Sequence, residues 1–233
     1  FLGLTFCQVD APPTDTESDD GNAAHALYYE LQLDAADVSV EPGAWTTTSD
    51  LGYVVTVVGG SLHTTAAQLV PCSDAQNYGS TRGWSFGIAA AHAGHSESED
   101  DPTLVEASLS ESLLGHGAAN LGSSLAGGRY CAAYVEVGPR TDDDITLALE
   151  LEVISSDGRE QSRRNVRTNA SFGRQSQLAE PLDLSVQPAL LVIERHLASA
   201  FDGIDFASAD DTQVADAVLV NLLADADFHT YAG

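Results

Sequence analysis

Leu51-Gly52-Tyr53-Val54-Val55-Thr56-Val57-Val58 runs through Gly59-Gly60 into residues 61–70 and stops at Pro71-Cys72. Its first half is rich in β-branched side chains, which fit a pleated surface better than a helical one. The glycine pair interrupts the run where a strand can bulge, bend and re-aim its side chains. His63 lies inside the second half.

The flanking segments read the same way. Residues 27–33 and 38–41 alternate apolar with polar, and Pro42-Gly43 marks a turn. Residues 129–137 form another strand, entered through Ala126-Gly127-Gly128 and stopped by Gly138-Pro139. Residues 145–154 alternate and lead into a hairpin-type turn, Ser155-Ser156-Asp157-Gly158-Arg159. Leu190-Leu191-Val192-Ile193 is one more strand. Short strands punctuated by Gly, Pro and Asp argue for an antiparallel sandwich or barrel. Residues 104–114 are mildly amphipathic and ambiguous. Residues 159–174 hold five of the nine arginines and read as a hairpin arm or an exposed strand pair.

Helical spacing appears only late. Leu197, Phe201 and Ile204 suggest a short helix ending near Gly203. Asp210-Asp211-Thr212 caps a second helix over 213–225, with Val214, Ala217, Val218 and Leu222 as its apolar stripe. The expected fold is mainly β: an antiparallel β-sandwich with one or two short C-terminal helices.

Charge narrows the partners. The 233 residues carry 35 acidic against 9 basic side chains, a formal net charge of -26, and every basic residue is Arg. Phosphate recognition needs a basic face, so nucleic acid is excluded as a partner. A field this negative concentrates cations near the surface. Adaptation to salty or extracellular surroundings explains the same imbalance without any ligand.

The start of the chain bears on location. Phe1-Leu2-Gly3-Leu4-Thr5-Phe6 is apolar and ends at Cys7, like the tail of a secretory signal. A polar, Pro-containing stretch follows and reads as a disordered tether. Residues 1–23 are therefore expected to be signal remnant and acidic tether, and residues 24–233 the β-sandwich domain. Lipidation at Cys7 would anchor the protein to a membrane, although Phe6 stands where lipoprotein signals want a small residue. Cys72 and Cys131, each at or in a strand, suggest one disulfide and an oxidising compartment. The expected location is the periplasm or cell surface.

The chemistry-bearing candidates are histidines. His92 and His95 stand three residues apart, and His-x-x-His lets both rings reach one ion from a loop or a single helical turn. A catalytic zinc site needs three protein ligands and a structural one four, so the pair needs company. His63 is the third candidate, while His116 and His196 are weaker ones. Imidazoles without thiolate suit copper or zinc rather than calcium. The competing reading is two solvated loop histidines and a half-buried strand histidine. Asp142-Asp143-Asp144 lacks the spacing of a calcium loop and reads as a solvated turn. No nucleophile elbow, His-Glu-x-x-His motif or phosphate loop is present. Trp45 and Trp84 could stack on a sugar, or serve as one core and one loop residue.

A resemblance rests on several of these pieces together. They are the lipoprotein-like start, Gln68-Leu69-Val70-Pro71-Cys72, Ala91-His92-Ala93-Gly94-His95-Ser96, Gly127-Gly128-Arg129-Tyr130-Cys131 and Phe201-Asp202-Gly203-Ile204-Asp205-Phe206. The chain resembles secreted bacterial metal-binding lipoproteins. More distantly it is similar to the periplasmic copper-binding family associated with methanobactin, whose β-sandwiches hold copper with histidines and, in some members, an oxidised tryptophan. The resemblance implies a ligand role for His92 and His95 and a possible one for Trp84. The expected function is extracytoplasmic capture or transport of copper or zinc, without catalysis, through His92, His95 and His63. The alternative is a structural or adhesive cell-surface protein with no metal site, which predicts an exposed sheet edge or apolar patch.

Overall fold

The computed structural model describes residues 23–75, 101–115, 118–139, 141 and 144–233. Two β-sheets face each other across one apolar core, and the run from Val54 to Pro71 is the central strand of the larger, eight-stranded one. Residues 54–71 form a single 18-residue strand, β4 (Val54–Pro71). The other strands are β1 (His25–Asp34), β2 (Ser39–Glu41), β3 (Ala44–Thr48), β5 (Val105–Ser112), β6 (Ala119–Ala126) and β7 (Arg129–Val137). They continue with β8 (Leu147–Ile154), β9 (Gln161–Thr168), β10 (Phe172–Asp183), β11 (Ala189–His196) and β12 (Asp227–Ala232). Two helices, α1 (Cys72–Ala75) and α2 (Asp211–Ala224), complete the described elements.

Strand β4 is long enough to serve two sets of neighbours. Its first half lies between β3 and β8, and its second half between β5 and β7. The pairing with β8 slips between Val57 and Gly59, so the glycine pair is a bulge within one strand and not a break. Strands β9 and β10 extend this sheet outward from β8 and β7. They do not pair with each other, because each is the outer neighbour of a different strand. The opposing sheet has the order β12-β11-β1-β6, and β1 runs parallel to β11.

Alternation fills the core from both sheets. Leu27, Tyr29 and Leu31 of β1 meet Val55, Val57 and Leu62 of β4, all at most 1% exposed. Burial on this scale supplies most of the folding drive, at roughly 25 cal/mol per Å² of apolar surface. Trp45 is core, and its indole N–H donates to Leu113 O at 2.9 Å.

Helix α2 is capped as its sequence suggests. The Asp210 carboxylate accepts from Gln213 N, and the Gln213 side chain accepts from Asp210 N. The buried face is Val214, Ala215, Val218, Leu219, Leu222 and Leu223, and it lies chiefly against β9. The expected helix ending near Gly203 is instead a chain of turns. Ala200, Asp202 and Ile204 donate to the carbonyls three residues back, and Gly203 adopts φ +72°. Asp50 and Asp202 exchange bonds with each other's backbone region, Asp50 N to Asp202 Oδ1 at 2.9 Å and Gly203 N to Asp50 Oδ1 at 2.7 Å. These ties hold the turns open, and Leu197, Phe201 and Ile204 still reach the core.

Candidate functional site

His63 sits on β4 and is 8% exposed. Its Nδ1 lies 2.7 Å from Gly138 O, and a carbonyl only accepts, so Nδ1 carries the proton. Nε2 is then the acceptor, 3.2 Å from the Ser108 hydroxyl. Among the described residues no group of three or more His, Cys, Asp or Glu is placed to hold a metal ion. His92, His95, His116, Trp84 and Cys7 lie outside the described residues. Cys72 and Cys131 form a disulfide with Cα atoms 4.6 Å apart. It joins the first residue of α1, directly after β4, to β7, beside the paired Pro71 and Tyr130.

The feature that sequence reading missed is the solvent face of the four-stranded sheet. Residues 28, 30, 32 and 34 of β1 share this face with residues 190, 192, 194 and 196 of β11, because parallel pairing puts Tyr28 opposite Leu190 and Asp34 opposite His196; Val192 alone among them is buried. Strand β12 adds Tyr231 opposite Leu190 and His229 opposite Val192. One cross-strand row therefore reads Tyr231, Leu190, Tyr28, Ser123. Tyr28 is 49% and Tyr231 56% exposed, and Leu125 on β6 is 69% exposed. Two tyrosines two strands apart stand about 9.6 Å from each other. Large apolar side chains gathered on one solvent-facing sheet surface make it a candidate interaction surface. The available signal was parity: Tyr28 occupies the polar register of β1, with Glu30 and Gln32. Strand β12 gave no signal at all, since Asp227, His229 and Thr230 dilute its pattern.

Beyond the tyrosine row the same face is acidic. Glu30, Asp34, Glu194 and Asp227 follow along the strands. His229 Nε2 lies 3.2 Å from Glu194 Oε2. His196 bridges two strands, with Nδ1 2.8 Å from Asp34 Oδ2 and Nε2 3.0 Å from Asp227 Oδ2. Partial burial pulls the His196 pKa down, but the bonds to Asp34 and Asp227 and their charges outweigh it, and the net shift is upward. Asp34 is shifted the other way, by the Ala36 backbone N–H first and His196 second. Both ring nitrogens face carboxylates, which is the arrangement of an imidazolium.

A separate open cavity of about 580 Å³ lies beside β3 and the 198–202 turns. Asp37, Asp50 and Asp202 line it together with hydroxyl side chains. Asp50 and Asp202 already accept backbone N–H groups there, so two of its three carboxylates serve the local fold.

No protein-family model, no curated protein and no solved structure matches the chain.

Proposed function

We propose that the chain is an extracytoplasmic binding protein that holds a partner on the solvent face of its four-stranded sheet. The carrying observation is the in-register row in which exposed Tyr231 and Tyr28 flank half-buried Leu190. The Cys72–Cys131 disulfide supports the location, since such bonds persist chiefly in oxidising compartments. Binding assays of the purified protein against a defined panel test the reading: a basic peptide, soluble neutral β-linked oligosaccharides, and anionic vesicles. At least one member binds the parent, and the Tyr28→Ser/Tyr231→Ser variant loses it with its circular dichroism unchanged. A panel that binds nowhere, or binds both proteins equally, sinks the reading.

Transition-metal capture is the second reading, with His92, His95 and His63 as ligands and copper or zinc as cargo. One observation favours it: His63 donates Nδ1–H to a backbone carbonyl, the arrangement that orients metal-ligating imidazoles elsewhere, and a metal would take the place of the Ser108 hydroxyl at its Nε2. The resemblance to methanobactin-associated copper-binding proteins points the same way. Elemental analysis of untagged protein after incubation with copper and zinc decides it. Near-stoichiometric metal that disappears in His92→Ala/His95→Ala supports capture; a metal-free parent ends it.

A further inference from the structure

The outer face of the four-stranded sheet combines aromatic rings with carboxylates, and among the described residues no Lys or Arg of its own four strands points out from it; Arg174 of β10 acts on its edge, through Asp227. The sequences of β1, β6 and β12 contain no basic residue other than histidine. Strand β11 contributes Arg195, which points into the core and is fully buried against Glu111. Five of the nine arginines fall in residues 159–174, on β9, β10 and the turns that flank them. The face is thus negative by layout as well as by total charge.

We infer that this face docks a cationic polypeptide segment, with Lys or Arg side chains lying over Tyr28 and Tyr231 and their charges set against Glu30 and Glu194. This deepens the partner-binding reading above and rests on it. Aromatic faces attract ammonium and guanidinium groups through the ring quadrupole, and nearby carboxylates add to that attraction. Leu190 and Leu125 supply apolar contact for the aliphatic stems of the same side chains. Like charge argues against other occupants. A second copy of the chain would bring Glu30, Asp34, Glu194 and Asp227 against themselves, and an anionic membrane or nucleic acid is repelled for the same reason. His196 and His229 do not reverse this, because each is already set against a carboxylate of the face.

The test is titration calorimetry with a synthetic peptide that alternates Lys or Arg with Leu, beside a matched peptide carrying Glu for every basic residue. The full chain binds the basic peptide and not the acidic one. Tyr28→Ser/Tyr231→Ser weakens binding about tenfold or more. Glu30→Gln/Glu194→Gln weakens it about fivefold, and added salt does the same to the parent. Glu41→Gln/Glu150→Gln, an equal loss of charge at exposed positions of β2 and β8 in the other sheet, changes little. Equal weakening by that distant pair, or no effect of the tyrosines, would show attraction by bulk charge and overturn the inference. Binding of neutral oligosaccharide through the tyrosines, with none for the basic peptide, also overturns it while leaving the face as the binding site. Binding to nothing overturns both.

Discussion

Replacing Arg195 by Met removes a buried charge while keeping most of the side-chain volume. Arg195 is fully buried on β11 and reaches across the sandwich to Glu111 on β5, whose side chain is 6% exposed. Its second terminal nitrogen donates to Thr64 Oγ1 at 3.0 Å, and Thr64 Oγ1 donates to Glu111 Oε1 at 3.3 Å. The guanidinium is therefore the main counter-charge of a carboxylate that water barely reaches. At a charge separation of about 4 Å and an effective dielectric of about 20, their attraction is about 4 kcal/mol. Stranding one member of a buried pair costs about 3–5 kcal/mol. A domain of this kind has about 5–15 kcal/mol in total, so Arg195→Met should lose a large fraction of it. Denaturant unfolding followed by far-UV circular dichroism measures the loss.

The same argument sets the second arm. Arg195→Met/Glu111→Leu removes both charges and leaves only the Thr64 hydroxyl without its partners, so its stability returns to within about 2 kcal/mol of the parent. The Arg195 Nε has no hydrogen-bond partner among the described residues, so the pair is imperfectly satisfied and an apolar substitute competes well. A single variant within about 1 kcal/mol of the parent, or a double variant as unstable as the single, would refute the claim that uncompensated charge is what the substitution exposes.

Three further outcomes follow from local geometry. The His196 clamp stabilises the fold fully below the unfolded histidine pKa of about 6.5, and this contribution is lost as pH rises through the elevated folded value; His196→Asn flattens that segment of a stability-versus-pH curve, by about 1 kcal/mol or less given the partial exposure. Gly173→Ala places a Cβ against the Tyr134 hydroxyl and 2.7 Å from its ring, a rigid obstacle, and costs about 1–3 kcal/mol of unfolding free energy, measured by urea titration. Cys72→Ser/Cys131→Ser opens a link across a sequence separation of 59 and lowers stability by about 4 kcal/mol in the chain-entropy account, read against the oxidised parent in calorimetry.

The fold was legible where period-2 patterning and turn chemistry agreed. Strands β1, β4, β7, β8 and β11, the 155–159 turn and the capped helix α2 all carried such signals. Strand β3 did not, because Ala44-Trp45-Thr46-Thr47-Thr48 is short and lies between a turn and a longer run. Residues 197–206 misled because apolar spacing cannot separate a helix from consecutive turns that bury the same side chains. What distinguishes them is the exchange between Asp50 and residues 202–203, which is about 150 residues away in sequence. The candidate face was illegible for a related reason: its row is assembled from three strands whose register no local pattern encodes.

The shortage of basic residues has a structural corollary. Arg164 donates to Asp211 at 2.7 Å and to the carbonyls of Phe206 at 3.2 Å and Ala209 at 2.7 Å, so one side chain ties the lead-in of α2 to β9. Arg174 donates to the carbonyls of Leu223 and Ala224, where the last turn of α2 leaves acceptors unpaired. Two arginines from the polar 159–174 segment thus grip both ends of the helix. Arg195 joins the two sheets from inside, and Arg163 pairs with Glu152 on the neighbouring strand. A lysine has one donor centre and could not make these forked contacts, which is a physical reason for a chain so poor in cations to use arginine alone. Arg174 also acts on the charge of Asp227 at the edge of the opposite sheet, while Arg163, Arg164 and Arg195 are paired with Glu152, Asp211 and Glu111 away from the Tyr28–Tyr231 row. The negative potential at Tyr28 and Tyr231 is then a consequence of where the cations are used as well as of how few there are.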